Sequence, residues 1–186
     1  MLKKILIGVG ALIGVFIAVV AMQPAEFRIV RTATVAAPSA IVFAQVNDFH
    51  KWSAWSPWAK RDPAMKQTFE GPEAGTGAVY TWDGNSEVGA GRMTLTESRS
   101  NEWVRIKLEF LKPFAAVNIT DFGFKEVDGK GSMVTWSMEG KNNFLSKAFC
   151  LFVNMDKMVG ADFEKGLAEM KEIAEAENQK GKGNGI

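Results

Sequence analysis

The sequence has very little of the chemistry on which metal sites and disulfide frameworks depend. Among its 186 residues there is one cysteine, Cys150, and one histidine, His50. A single cysteine excludes an intrachain disulfide and a cysteine-based metal site, and a single histidine excludes a histidine cluster. The sequence therefore predicts no metal site, and no motif in it indicates a cofactor.

The sequence also lacks an excess of charge of either sign. Its 22 basic and 21 acidic side chains leave a formal net charge of +1. Nucleic-acid-binding domains usually carry a basic surplus or a basic stripe, so this balance argues against a nucleic-acid partner. Hydrophobic residues make up 47% of the chain and charged residues 23%, a composition too apolar for a disordered protein. The length suits one folded domain.

The apolar residues include one long uncharged run near the N-terminus. Lys3 and Lys4 precede it, and residues 5–22 carry no charged side chain. As a helix this run would extend roughly 27 Å, about the thickness of the hydrocarbon core of a bilayer. We expect residues 1–26 to form a transmembrane anchor with its linker, and a cleaved signal peptide is the alternative. The two lysines favour a cytoplasmic N-terminus, which would place the following domain on the extracytoplasmic (periplasmic) side of the cell membrane.

The remaining chain contains seven predicted strands, and the patterns of two of them make specific predictions. Apolar and charged residues alternate in residues 103–111, which predicts one buried face and one exposed face. The apolar positions change phase in residues 116–124, which predicts a bulge near residues 120–121. The expected buried residues of the alternating strand are Val104, Ile106, Leu108 and Phe110. The seven predicted strands cover residues 27–35, 66–70, 77–82, 87–96, 103–111, 116–124 and 132–138.

Helical patterns lie between the first two strands and after the last strand. Short helices are expected within residues 37–58, and one long helix is expected over residues 144–177. The first half of the long helix is apolar on almost every side, which predicts that it is buried, and Gly160 is a candidate kink. The tail, residues 178–186, is rich in glycine and lysine and is expected to be disordered.

Together these elements predict an α+β fold in one domain, residues 27–177. A curved antiparallel sheet of about seven strands would wrap around the long C-terminal helix, with a transmembrane helix preceding the domain. Bulges and glycines allow such a sheet to bend. The concave face of the sheet and the helix would then enclose an apolar space.

Four segments carry a resemblance to a known superfamily. AAPSAIVF at residues 36–43 resembles the start of its first helix, and DFHKWSAWSPW at residues 48–58 resembles its tryptophan-containing segment. GTGAVYTW at residues 75–82 is similar to one of its hairpins, and VTWSM at residues 134–138 is similar to its last strand. On these segments the chain resembles the START-like (SRPBCC) superfamily, in the bacterial polyketide cyclase/dehydrase-like branch with an N-terminal hydrophobic anchor.

The resemblance implies a helix-grip fold with a cavity between the sheet and the long helix. Members of the superfamily bind hydrophobic ligands, transfer lipids or cyclise polyketides, so fold alone does not fix function. The main hypothesis is a membrane-tethered domain that binds a hydrophobic small molecule or a lipid. A cyclase/dehydrase-like enzyme and an envelope interaction module without a ligand are the alternatives. The candidate cavity residues are Leu108, Phe110, Trp136, Phe149, Phe152, Met155, Met158 and Phe163.

Three features invite chemical interpretations that their sequence context weakens. Trp52, Trp55 and Trp58 recur every three residues, a spacing that fits a packed cluster better than a ligand rim. His50 has no evident orienting partner, which favours a surface or capping role over general-base catalysis. Cys150 lies in the most apolar part of the predicted long helix, so we expect a buried and unreactive thiol.

Overall fold

The N-terminal helix stands apart from the rest of the fold. The computed structural model describes residues 1–129 and 131–183, and helix α1 spans Leu2–Met22. Within α1 only Val20 is buried, and its other apolar side chains are accessible. By length and composition α1 can cross a membrane, and an N-terminal signal sequence would meet the same criterion. Either way, α1 adds no side chain to the core except Val20.

The domain is built on one antiparallel sheet of seven strands. The strands follow the order β1-β7-β6-β5-β4-β3-β2, so the two chain-terminal strands β1 and β7 are neighbours. This arrangement confirms the predicted α+β class and the number of strands. The strand bounds are β1 Glu26–Val35, β2 Lys66–Glu70, β3 Val79–Asp83, β4 Ala90–Arg99, β5 Trp103–Lys112, β6 Ala116–Val127 and β7 Gly131–Lys141.

The facing of β5 follows the predicted alternation, but full burial of the inward side chains is limited to its first half. Val104 and Ile106 are fully buried, whereas Leu108 and Phe110 are half-buried against the edge of the core. The charged residues between them are half-buried rather than exposed, because they pair with one another and with β6, as Arg105 does with Asp121. The expectation of four fully buried apolar residues was therefore wrong for the second half of β5.

The predicted bulge in β6 is also wrong. The pairings of β6 with β5 and with β7 run without a register shift. Asn118 and Thr120 are buried on the inner face together with Phe122 and Phe124, while Val117 is exposed. The change of phase in the sequence thus reflects two polar residues on the inner face. The irregularities of the sheet lie in β4, whose pairing with β5 shifts between Ala90 and Gly91 and again between Leu95 and Glu97.

Short helices cover one part of the concave face of the sheet. They are α2 Ser39–Asn47, a 3-10 turn Phe49–Lys51, α3 Trp52–Trp55 and α4 Pro57–Arg61. Trp52 and Trp55 are buried, and their indole N–H groups donate to the carbonyls of Val46 and Gln45. These hydrogen bonds fasten α3 to α2, so this part of the tryptophan cluster is structural.

The C-terminal region forms two helices where one was expected. Helix α5 spans Phe144–Cys150 and helix α6 spans Met155–Gly183. Asn143 Oδ1 accepts from Ser146 N at 2.8 Å, and Asn154 Oδ1 accepts from Lys157 N at 3.0 Å. Each asparagine thus caps the start of a helix, and Asn154 begins the second one after a break. Helix α6 also continues past residue 177, so residues 178–183 of the expected disordered tail are helical, and residues 184–186 lie outside the described part of the chain.

Gly160 is a contact point between α6 and β1 and lies inside the continuous helix α6, without ending it. A Cβ at this position would collide with the guanidinium of Arg31. Arg31 Nε donates to Glu164 Oε1 at 2.6 Å, and Nη1 donates to Asp156 Oδ1 at 3.1 Å. The Arg31 guanidinium holds the pKa of the Asp156 carboxyl below its usual range. The absence of a side chain at Gly160 thus lets one arginine fasten α6 to the edge strand, and a bend of α6 at this glycine stays a prediction.

Candidate ligand-binding cavity

The concave face of the sheet and the start of α6 enclose a cavity of about 610 Å³. This volume falls within the range of small-molecule sites, roughly 300–1,000 Å³. All seven strands of the sheet contribute lining residues, and the opposite side is formed by α3, α4 and the first two turns of α6. Most of the lining side chains are apolar, which favours an apolar occupant.

Stacked aromatic rings form the inner wall of the cavity. Trp136 on β7 stacks against Phe163 on α6, with ring centroids 4.0 Å apart, and against Phe122 on β6 at 4.9 Å. Gly166 allows α6 to pass close to the Trp136 ring, because a Cβ there would lie 2.9 Å from the ring edge. Trp58 meets both Trp136 and Phe163 edge to face. This packing holds the wall rigid on the side of α6.

Three polar groups interrupt this apolar wall. Thr120 and Trp136 are 3% and 2% exposed, yet Thr120 Oγ1 and Trp136 Nε1 have no hydrogen-bond partner among the described residues. Asn118 is also buried, and its Nδ2 meets only the sulfur of Met138, at 3.8 Å. Buried polar groups in folded proteins are nearly always hydrogen-bonded, so two orphan groups on one cavity wall require an explanation.

Tyr80 brings one titratable group to the opposite side of the wall. Its ring is buried and packs at 5.4 Å from Phe69 and at 5.9 Å from Trp82. Burial raises the pKa of Tyr80 to about 12, because the phenolate would be poorly solvated there. At neutral pH this side chain is therefore an uncharged hydroxyl facing the cavity.

The charged residues of the cavity lie near its mouth. We define the mouth by the exposed lining residues, which are Ser53, Arg61, Glu87, Lys112, Pro113 and Met158. Arg61 forms an ion pair with Asp162 of α6. Lys112 Nζ lies 3.2 Å from Asp83 Oδ1. Both lining cations are thus paired at the rim, and the inner wall described above carries no charged side chain.

The structure brings six of the eight predicted cavity residues together. Leu108, Phe110, Trp136, Met155, Met158 and Phe163 line the cavity. Phe149 of α5 and Phe152 of the break that follows do not line it, because this region lies outside the core and leaves them 53% and 80% exposed. Their assignment to the cavity was wrong, since the apolar run that predicted a buried helix forms an exposed one.

The other singled-out residues take structural or surface positions. His50 is half-exposed, and its Nδ1 lies 2.9 Å from Asp48 Oδ1 while its ring stacks on Phe69. Asp48 is thus an orienting partner that the sequence did not reveal. Cys150 is partly exposed on α5, so its predicted burial was wrong. Trp52 and Trp58 line the cavity in addition to packing the core. Among the described residues, no group of three His, Cys, Asp or Glu side chains is placed to hold a metal ion.

Asn118 and Thr120 are polar residues of the wall that the sequence did not reveal, whereas Trp136 was among the predicted cavity residues. Asn118 and Thr120 alternate with Val117 and Ile119, and apolar residues are normally assigned to the inner face. One signal was present: Phe122 and Phe124 share the phase of Asn118 and Thr120. Continuing that phase backward along an unbroken strand would have placed both polar residues inside.

The fold and cavity define a ligand-binding helix-grip protein, and comparisons of the sequence identify the family. The family described as polyketide cyclase/dehydrase and lipid transport matches residues 26–175. Because this match covers most of the chain, the chain belongs to that family, and the resemblance to the START-like superfamily is confirmed. No curated protein matches the chain.

Solved structures share the fold at low sequence identity. A protein of unknown function from Staphylococcus aureus is similar with a TM-score of 0.62 at 11% identity, covering 83% of this chain and 96% of its own. A protein from Chromobacterium violaceum gives 0.56 at 15% identity, covering 82% and 99%. The di-domain ARO/CYC StfQ of the steffimycin biosynthetic pathway gives 0.60 at 11% identity, covering 82% of this chain and 52% of StfQ.

Proposed function

We propose that this chain is a membrane-tethered protein that binds a hydrophobic small molecule or a lipid in the cavity between its sheet and α6. The observation that carries the proposal is the cavity of about 610 Å³ with a largely apolar lining. Helix α1 would hold the domain at the membrane, with the domain on the extracytoplasmic side because Lys3 and Lys4 favour a cytoplasmic N-terminus.

The energetics of burial support an apolar ligand. Each methylene removed from water contributes about 0.8 kcal/mol, so a medium-length acyl chain reaches roughly micromolar affinity after the costs of association. The family description includes lipid transport, which agrees with such a ligand. The size of the cavity argues against an interaction module without a ligand, because the core of such a module would be packed without a cavity of this volume.

Uptake of an apolar probe by the domain without α1 tests this proposal. A chain beginning at residue 23 is purified and mixed with a fluorescent fatty-acid probe, and native mass spectrometry measures both the probe and any co-purified lipid-like mass. We expect one bound probe per chain. Met155→Asp should abolish uptake, because Met155 lines the cavity and an unpaired carboxylate there is costly to bury.

A matched control is available in the break between α5 and α6. Phe152 lies outside the cavity and is 80% exposed, so Phe152→Asp should leave uptake unchanged. Circular dichroism of both variants establishes that each remains folded. If the folded wild-type domain binds none of a broad panel of apolar probes, the proposal is overturned in favour of an interaction module.

A cyclase/dehydrase-like enzyme is the second candidate. It is favoured by the polar groups in the cavity wall, Asn118, Thr120 and the uncharged hydroxyl of Tyr80, and by the family description. The fold similarity to the ARO/CYC StfQ also favours it. The test is whether the wild-type protein converts a bound poly-β-ketone mimic. Loss of this conversion in Tyr80→Phe, while the mimic still binds, would support catalysis over binding alone.

A further inference from the structure

The first inference concerns the chemical class of molecule that the cavity accepts, and it rests on the proposed function. Its starting point is the pair of orphan groups, Thr120 Oγ1 and Trp136 Nε1. A buried polar group without a hydrogen-bond partner lowers the stability of a protein by about 1–3 kcal/mol. Two such groups on one wall therefore destabilise the empty cavity. A ligand atom that accepts hydrogen bonds at this place would remove that cost.

The two groups are close enough to act on one part of a ligand. On the paired strands β6 and β7, Thr120 lies opposite Met138, and Phe122 lies opposite Trp136. Thr120 and Trp136 are therefore diagonal neighbours on the inner face, a relation in which the Cβ atoms lie somewhat less than roughly 7–8 Å apart and an aromatic side chain can reach its neighbour. An indole N–H can only donate, so the ligand atom facing Trp136 must be an acceptor.

The charges around the cavity limit that acceptor to an uncharged group. The two lining cations, Arg61 and Lys112, lie at the mouth and are paired with Asp162 and Asp83. A carboxylate or phosphate placed beside Trp136 would be buried without a counter-charge, which is far more costly than burying a carbonyl.

We infer that the cavity binds a molecule with an apolar chain and one uncharged hydrogen-bond acceptor, such as a ketone, ester or amide carbonyl. The carbonyl oxygen accepts from Trp136 Nε1 and from the hydroxyl of Thr120, and the apolar chain extends along the aromatic wall toward the mouth.

Matched photoreactive probes test this inference on the full chain in proteoliposomes. The probes share one diazirine-bearing alkyl chain and end in a methyl ketone, a methyl group or a carboxylate. Cross-linking to cavity peptides is measured against the mole fraction of probe in the lipid. We expect the ketone to label at a mole fraction roughly tenfold lower than the alkane, and to label better than the carboxylate at neutral pH.

Conservative variants assign the preference to the two groups. Thr120→Val and Trp136→Phe should each reduce the ketone-to-alkane ratio severalfold, while labelling by the alkane stays within about twofold. Thr32→Val, on the outer face of β1, should leave the ratio unchanged. Equal labelling by ketone and alkane in wild type would overturn this inference and leave the proposed function standing. If neither probe labels the cavity, the proposed function fails as well.

A second inference concerns the surface around α5, and a different observation carries it. Helix α5 has no buried residue, although it is apolar on almost every side. Phe144, Leu145 and Phe149 of α5 are each more than half exposed, and so is Phe152 just after it. Exposed apolar patches of this kind mark protein or membrane contacts.

The sheet topology gathers further exposed apolar residues near α5. Glu26 pairs with Lys141, and Ala116 pairs with Phe110, so the exit of α1, the start of α5 and the β5–β6 turn share one end of the sheet. We call this the anchor end. The β5–β6 turn and its flanks carry three more exposed apolar side chains there, Leu111, Phe114 and Val117.

The last turn of α1 fixes where the anchor end lies relative to a membrane. Lys147 Nζ of α5 donates to the carbonyl oxygen of Ala21 at 3.4 Å, one residue before α1 ends at Met22. Only residues 23–25 separate α1 from β1. A spanning α1 would place its last turn at the bilayer surface, and α5 would then lie at the same depth. Exposed lysines at this end, Lys112 and Lys141, can remain in the headgroup layer.

The geometry points to a lipid bilayer as the surface that covers α5 and the β5–β6 turn, with the mouth of the cavity next to the membrane. Lys112 and Pro113 of the mouth belong to that same turn region. A ligand would then pass between the bilayer and the cavity without crossing bulk water. This docking rests on the proposed tether.

The single cysteine of the chain provides the test, because Cys150 lies on α5 and is partly exposed. The full chain is labelled at Cys150 with an environment-sensitive dye and reconstituted into liposomes containing nitroxide-labelled phospholipid. We expect strong quenching at Cys150. The control variant combines Cys150→Ser with Asp128→Cys, which moves the dye to the opposite end of the sheet. The eleven residues of β7 separate the two ends by roughly 35 Å. We expect no quenching of the dye at residue 128.

Two further measurements separate the possible failures. Phe149→Gln combined with Phe152→Gln should reduce the quenching at Cys150 severalfold while the protein still floats with the liposomes. If the protein floats with the liposomes but the dye at Cys150 is not quenched, the docking surface is overturned and the tether is left intact. Energy transfer between labelled copies without quenching would have the same meaning. Protein that does not float would overturn the tether itself.

Discussion

At the scale of single residues, Tyr80 offers the most direct test of the cavity environment, since it is the only tyrosine in the chain. Its pKa is raised to about 12 by burial. Tyrosinate absorbance in the near ultraviolet therefore reports this residue alone. We expect a titration midpoint near 12 in the folded domain, and a midpoint near 10 after denaturation.

The same shift sets the direction of a stability change at high pH. A group whose pKa is raised in the folded state stabilises the fold below its unfolded pKa, and that contribution is lost as the pH rises through its folded pKa. The free energy of unfolding should thus fall between about pH 10 and 12, and Tyr80→Phe should flatten this decline. A folded midpoint near 10 would contradict the buried position of the hydroxyl.

Two neighbouring residues of β5 should respond differently to truncation. Ile106 is 0% exposed within the core, so Ile106→Ala should lower the free energy of unfolding by about 2–5 kcal/mol. Leu108 lines the cavity and already lacks neighbours on one side, so Leu108→Ala should cost less than about 2 kcal/mol. Equilibrium unfolding in urea measures both values, and equal costs would mean that the cavity is closed around Leu108.

The limits of sequence interpretation at this scale are physical. Alternation predicts facing by assuming that the inner face is apolar, and this held for Val104 and Ile106. It failed in β6, where Asn118 and Thr120 face inward. Polar groups inside a cavity violate the rule on which the prediction depends, so Asn118 and Thr120 were missed, whereas Trp136 was predicted from its apolar ring.

At the scale of elements, Gly160 and Arg31 form a pair whose coupling can be measured. A Cβ at residue 160 would displace the Arg31 guanidinium from Asp156 and Glu164. Gly160→Ala should therefore destabilise the wild-type protein despite the higher helix propensity of alanine. In an Arg31→Ala background the same change should stabilise the fold by up to about 1 kcal/mol, because only the propensity remains.

A double-mutant cycle by urea unfolding gives the coupling between these two positions. Gly181 lies in the same helix with open space around it, so Gly181→Ala is the control and should respond identically in both backgrounds. Additive effects of Gly160→Ala and Arg31→Ala would show that the close approach of α6 to β1 does not depend on this glycine.

Element types were largely predictable, and the exceptions have identifiable causes. The seven strands and the amphipathic part of α6 carry the repeat patterns of their structures, and both were found. The break at residues 151–154 was missed because Asn154 stands within an apolar run, where its capping role is hard to recognise. Helix α5 was assigned to the core because a helix apolar on all sides is normally buried in protein. Contact with a bilayer satisfies the same pattern.

At the scale of the whole molecule, the exposed apolar side chains are concentrated at one end of the sheet. The anchor end carries α1, α5 and the β5–β6 turn, whereas the opposite end carries the polar β6–β7 turn with Asp128. The mouth of the cavity lies toward the anchor end, since Lys112 and Pro113 belong to both. A tether of residues 23–25 is too short to let the domain turn its anchor end far from a membrane that holds α1.

The last expectation concerns α1 itself. The full chain should remain in the membrane pellet after carbonate and high-salt extraction, because α1 presents 21 residues of mostly apolar surface to the lipid. A chain beginning at residue 23 should be released by the same treatment, since α5 alone contacts only the surface of the bilayer. Cell fractionation with immunoblotting measures the distribution of both chains. Protease applied to spheroplasts tests on which side of the membrane the domain lies, because a domain on the extracytoplasmic face should be digested.

Recovery of a mature N-terminus near Met22 would contradict a retained anchor and identify α1 as a cleaved signal. In that case the exposed apolar residues of α5 would have to hold the domain at the membrane without a tether, which predicts reversible binding to liposomes that salt does not weaken.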